Sequence, residues 1–133
     1  MSDDNNLFNE VIHSYTRKQA IEDGFLIDVT ETAREAGIKY PVAITTKLYQ
    51  GCINPSDKEK ERGQDLEGRL WDTLYMFTLA ARKHIGDTMH YKVIYLLEQE
   101  DGTAKQETQT IKAVIGPGDT SEPVITIMMP YED

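Results

Sequence analysis

The longest run of helical periodicity in the chain is DLEGRLWDTLYMFTLAARKHI, residues 65–85. Leu66, Leu70, Leu74, Phe77, Ala81 and Ile85 recur there at steps of three and four, which places them on one face of a helix. Asp65 stands where an N-cap belongs. Gly86 stands where the helix can end, after the basic pair Arg82-Lys83 that suits a helix C-terminus. Tyr75, Met76 and Leu79 make the other side apolar as well. A helix apolar nearly all round is covered on both sides. The N-terminal helices are expected to cover this second face, with another subunit as the alternative.

From Thr88 the period changes to two. Met89, Tyr91, Val93, Tyr95 and Leu97 point one way, and His90, Lys92 and Glu98 the other. A second strand carries Ile111, Ala113 and Ile115 on its apolar face. Joining the two through Glu100-Asp101-Gly102 pairs Tyr91 with Ile111 and Met89 with Ala113, so both apolar faces lie on the same side. A two-residue Asp101-Gly102 loop would oppose the faces. The three-residue loop also puts Gly102 at the left-handed bulge position. Gly116-Pro117-Gly118-Asp119 breaks the second strand, and Val124 to Met129 reads as a third, buried one.

The first half of the chain is patterned in shorter pieces. Leu7, Phe8, Val11 and Ile12 suggest an apolar turn behind a frayed tail at residues 1–6. Thr16 and Gln19 match a capping box, and Gly24 suits the position after a helix end. Residues 25–29 read as a short, mostly buried strand. Thr30 then caps a short helix that Gly37 closes. Pro41 can open a further helix, but Val42, Ile44, Thr45 and Thr46 favour a strand, so residues 42–49 are open to both readings. Residues 54–64, NPSDKEKERGQ, have almost nothing to bury and read as an exposed mobile loop. The expected architecture is one α+β domain over residues 1–133. Short N-terminal helices and one long central helix pack on a C-terminal antiparallel sheet of about three strands.

Charge narrows the partners. The formal net charge is −9 over 133 residues. Eight acids face three bases in the first 35 residues, and the last 15 hold four acids and no base. Binding nucleic acid through a basic surface is disfavoured, because that mode needs Lys and Arg to neutralise phosphates. The acidity serves solubility or meets a basic protein partner. No apolar segment approaches membrane-spanning length, and the N-terminus is polar and acidic. A cytoplasmic protein with no membrane association is therefore expected.

Candidate chemistry is sparse. Asp23, Asp28, Glu31 and Glu35 form the densest acidic group, with Glu31 and Glu35 four apart on one helix face. Such carboxylates can hold a hard cation or act as an acid/base pair. Favourable charges at a helix start and a solvated face account for the same residues without chemistry. The spacing is not that of a calcium loop, and His13, His84 and His90 form no metal pattern. Cys52, the single cysteine, has the character of a small buried thiol. Trp71 and the tyrosines read as core. No serine lies in a nucleophile-elbow context, and no phosphate loop is present. No cofactor, metal ligand or catalytic residue is assigned.

Three segments resemble a known family: DGFLIDVTETAREAGIKYPVAIT from Asp23, GRLWDTLYM from Gly68, and PGDTSEPVITIMMPYED from Pro117. They are similar to small bacterial proteins of unknown function carried by phages, plasmids and integrative elements. The resemblance implies an accessory protein of a bacterial mobile element and supplies no catalytic residues. Together the readings lead to a non-enzymatic acidic interaction module, with inhibitor and DNA mimic as narrower forms and a homodimer through the long helix as one arrangement. The alternative is a small metal-assisted or acid/base enzyme using Asp23, Asp28, Glu31 or Glu35.

Overall fold

The computed structural model describes residues 15–133. The tail at 1–6 and the apolar turn of Leu7, Phe8, Val11 and Ile12 lie outside the described residues. Helix α1 is Arg17–Glu22. Its capping box is formed: Gln19 N–H donates to Thr16 Oγ1 at 3.0 Å, and Thr16 N–H donates to Gln19 Oε1 at 2.9 Å. Strand β1 is Leu26–Asp28, helix α2 Thr30–Glu35 and strand β2 Val42–Thr45. Helix α3, Thr46–Leu48, runs into a π-helical turn, Tyr49–Ile53, closed by Asn54 N–H donating to Tyr49 C=O at 2.8 Å. Helix α4 is Asp57–Glu61 and α5 is Leu66–Ala81. Strands β3, β4 and β5 are Thr88–Glu98, Ala104–Pro117 and Pro123–Met128.

The sheet has five strands in the order β1-β2-β5-β4-β3. Only β2 and β5 pair in parallel; the other neighbours are antiparallel. The C-terminal strand therefore lies in the middle of the sheet, and β1 and β3 form its edges. The β3–β4 hairpin has Tyr91 opposite Ile111 and Met89 opposite Ala113. Gln99 and Thr103 close its three-residue loop, and Gly102 takes φ +84°. This is the register that burial of the two apolar faces requires.

Helices α2 and α5 pack on one face of the sheet over Val42, Ile44, Ile111, Ile125 and Ile127. Leu70 and Leu74 are the buried anchors of α5. Each stabilises the fold by roughly 1.5–3 kcal/mol through its removal from water. Helix α1 reaches the opposite face through Arg17, which donates to Thr126 Oγ1 and to Ile125 C=O, both at 2.7 Å. Two buried tyrosines fasten α5 directly above β3. Tyr91 Oη donates to Thr73 C=O at 2.9 Å. Thr73 Oγ1 gives its proton to Arg69 C=O at 2.8 Å, so at 2.5 Å it accepts from Tyr95 Oη.

Four expectations change. The sheet has five strands rather than about three and is mixed rather than antiparallel. β1 lies within the strand expected at residues 25–29 and β2 within the stretch open to a strand; that both join the C-terminal sheet, through the parallel pairing of β2 with distant β5, has no local sequence signal. Residues 42–49 satisfy both readings in turn, since Thr45 ends β2 and its Oγ1 accepts from Leu48 N–H at 3.2 Å to cap α3. Residues 54–64 are not a featureless loop. Ser56 and Glu59 form a second capping box, and both Pro55 and Glu59 are buried. The long helix stops at Ala81, four residues early, because the chain turns through Gly86 at φ +118° into β3.

Candidate functional site

The acids singled out by sequence are dispersed, and two of them, Asp23 and Asp28, hold local structure. Asp23 closes α1, and its Oδ2 accepts from Tyr15 Oη at 2.7 Å. That bond holds the Tyr15 phenol up at about 12, with burial and the negative charge of Asp23 adding to the shift. Asp28 Oδ1 accepts from Thr30 N–H at 3.0 Å and from Thr30 Oγ1 at 2.5 Å, so Asp28 holds the residue that opens α2, while Val29 takes the N-cap position without a side-chain bond. Thr30, the expected cap, bridges instead to the backbone of Val42. Asp28 and Glu31 border one crevice of about 420 Å³ between α2 and the start of α5, and Glu67 joins them there. Asp23 and Glu35 are not part of it. Among the described residues, no three His, Cys, Asp or Glu side chains converge on a point where they could hold a metal ion. Cys52 is buried, with Sγ 4.0 Å from Met129 Sδ, and burial pushes its thiol up while nearby Arg69 pulls it down by less.

The one buried ion pair among the described residues lies elsewhere. Arg69 Nη2 sits 3.2 Å from Glu59 Oε1, and both side chains are more than nine-tenths buried. The pair covers one end of the β3 edge. Arg69 Nη2 donates to Leu96 C=O at 2.6 Å, and Glu98 N–H donates to Glu59 Oε2 at 2.6 Å. A cation and an anion thus supply what the donor and acceptor of a neighbouring strand would supply. The π turn contributes Cys52 C=O, which accepts from Arg69 Nη1 at 3.3 Å. Burial alone would push the Glu59 carboxyl up. Hydrogen bonds from the Ser56 and Glu98 backbones, with the hydrogen bond and charge of Arg69, outweigh that and hold it below its ordinary value.

These contacts reveal the orientation of the whole edge. In a strand, the N–H and C=O of one residue point to the same side, and the side alternates along the chain. Leu96 C=O and Glu98 N–H point away from β4. So does Thr88 C=O, which accepts from His84 Nε2 at 2.7 Å. Gln99 N–H points toward β4, donating to Thr103 C=O at 2.8 Å. The β3–β4 register is unbroken from Thr88 to Glu98. The backbone groups of His90, Lys92 and Ile94 therefore face outward, and no group among the described residues bonds to them.

The flank of α5 overhangs this open stretch. Trp71 and Tyr75 stack with ring centroids 6.2 Å apart and planes 10° from parallel. Trp71, Tyr75, Met76 and Ile94 are 38%, 43%, 37% and 59% exposed. Trp71, Tyr75 and Met76 form an exposed apolar flank with Leu79, while Ile94 is exposed on the opposite face of β3; exposed apolar patches of this kind are often functional. Between flank and edge lies a groove of about 440 Å³, lined by Asp72, Tyr75, Met76, Lys92, Val93, Ile94 and Thr108. Burial against the groove raises the Asp72 carboxyl above its ordinary value.

Sequence periodicity identified the second apolar face of α5, and among the described residues the expected N-terminal cover does not reach it. Helix α2 packs on α5 near its start, and no described element covers Tyr75 and Met76. Trp71, expected in the core, is part of the exposed flank. The Arg69–Glu59 pair had no sequence signal, because its members come from two helices and meet at a third element. No helix among the described residues is long and apolar enough to cross a membrane. No curated protein and no solved structure matches the chain. A family model described as "Family of unknown function (DUF6573)" matches residues 4–133, so the chain belongs to that family.

Proposed function

We propose that this protein is a non-enzymatic interaction module that holds a partner protein against the overhanging flank of α5. The observation that carries this reading is the apolar flank of Trp71, Tyr75, Met76 and Leu79 lying beside strand backbone that no described residue pairs with, with Ile94 exposed on the far face of that strand. Apolar side chains and open backbone groups are both satisfied by a docked protein segment. A cytoplasmic accessory role in a bacterial mobile element agrees with the resemblance and with the acidic balance. A DNA-mimic role draws less support. Asp28 and Asp119 both spend carboxylate oxygens on backbone N–H groups, and Glu59 and Glu98 pair with Arg69 and Lys58. None of these four lends free charge to a phosphate-like row.

The test is quantitative affinity purification from bacterial cells with the protein and a variant carrying Trp71→Ala, Tyr75→Ser and Met76→Ser. A partner retained by the first and lost by the second supports the reading. Identical retained sets overturn it. A second reading, a metal-assisted or acid/base enzyme, has the shared crevice of Asp28, Glu31 and Glu67 behind it. Melting with and without divalent cations tests its metal-assisted form: a rise in midpoint that Asp28→Asn abolishes would favour that enzyme.

A further inference from the structure

We propose that the open stretch of β3 is a strand-addition site for a short extended peptide in which basic and apolar side chains alternate. This rests on the interaction-module reading and narrows it to a binding mode and a peptide chemistry.

Length follows from the two covered ends. Arg69 and Glu59 occupy the edge at Leu96 and Glu98, and His84 occupies it at Thr88. Between them His90, Lys92 and Ile94 each offer one outward N–H and one outward C=O. At about 3.3 Å per residue the gap suits a segment of about five to seven residues. A second copy of β3 does not fit. It is 11 residues long, and paired antiparallel across a two-fold axis it would run into the Arg69–Glu59 pair.

Side-chain chemistry follows from the pleat. An added residue opposite Tyr91 or Val93 points under the α5 flank, toward Asp72, Tyr75 and Met76. There an apolar stem with a cationic head packs on Tyr75 and reaches the Asp72 carboxylate. No basic side chain among the described residues forms an ion pair with Asp72, and burial has lifted its carboxyl. A residue opposite Lys92 or Ile94 points to the other face, where Ile94 is exposed and Lys92 repels a cation. Basic residues belong under the flank and apolar residues on the outer face. The net charge of −9 favours the same partner at long range.

The probe is a synthetic peptide of about seven residues, blocked at both ends, with alternating lysine and valine. Trp71, the single tryptophan, reports binding by fluorescence. Saturable binding is expected. At about ten times Kd, exchange of the His90, Lys92 and Ile94 amides should slow about tenfold. A glutamate–valine peptide should bind at least about tenfold more weakly. Lys92→Pro removes one outward donor at an edge that tolerates proline, and should abolish binding. N-methylation of the peptide backbone should do the same without touching the protein. Equal binding of the N-methylated or the glutamate peptide overturns the proposal, as does protection elsewhere. Protection already present in the free protein also overturns it; if concentration-dependent, it assigns the edge to a second copy. If the triple flank variant loses a cellular partner while the lysine–valine peptide does not bind, docking on the flank stands and strand addition falls.

Discussion

The C-terminal end and the middle of β3 share one backbone direction and one neighbour, yet they are treated differently. At Leu96 and Glu98 the outward groups are closed by Arg69 and Glu59, in a site with almost no water. At His90, Lys92 and Ile94 the same outward groups face a groove under exposed aromatic side chains. A sheet edge is a template for pairing and is normally blunted. Here the blunting is partial. The covered end shows what a full cover requires, which is two helices, a π turn and a buried ion pair. The uncovered stretch has only the flank of α5 above it, without the ion pair, the second helix or the π turn. The difference separates what holds the fold from what is left for a partner.

The sharpest way to break the contrast is at the covered end. Arg69→Ala leaves the Glu59 carboxylate and Leu96 C=O without their buried donor, and should cost about 3–5 kcal/mol in urea unfolding. The pair also has a pH signature. Because folding holds Glu59 below its ordinary value, the unfolded chain takes up that proton first as pH falls. The associated stabilisation is complete at neutral pH and drains away as pH drops from the ordinary carboxylate range through the lowered one. Glu59→Gln should flatten that part of the acid limb, read from urea midpoints across the range.

The two faces of α5 give the next test. Leu74 is fully buried, and Leu74→Ala should cost about 2–5 kcal/mol. Its neighbour Tyr75 lies on the open flank, and Tyr75→Ser should stay within about 0.5 kcal/mol. A large cost at Tyr75 would mean that this flank belongs to the fold. A smaller effect tests the hairpin that sets the β3 register. Gly102 has φ +84°, so Gly102→Ala should cost about 1–2 kcal/mol without altering the exposed flank.

The legible parts of the molecule were those whose signal is local. The capping box at Thr16, the N-cap at Asp65 and the three-residue hairpin loop follow from short-range chemistry and appear as read. The hairpin register followed from alternation, since one slip would turn Tyr91 and Val93 to solvent. The place of β1 and β2 in the sheet was hidden for the opposite reason. A strand was expected at residues 25–29 and was one of two readings for 42–49, but the parallel pairing of Val42 with Ile125 joins segments far apart in sequence. Residues 54–64 looked like loop because their composition is polar. The burial of Glu59 depends on Arg69 arriving from α5. Asp23 and Asp28 were legible as acids but not by their contacts with Tyr15 and Thr30, because those depend on which donor lies within reach. The open edge escaped notice because it is a property of backbone direction, which side-chain identity does not record.

Amide hydrogen exchange along β3 in the free protein reads the open edge residue by residue. The N–H groups of Tyr91, Val93 and Tyr95, bonded into the β4 ladder, should exchange slowly, as should Glu98 under its carboxylate cover. Those of His90, Lys92 and Ile94 should exchange fast, giving an alternation that stops where Glu59 begins. Uniformly slow exchange from His90 to Glu98 would contradict an open edge and leave no site for an added strand.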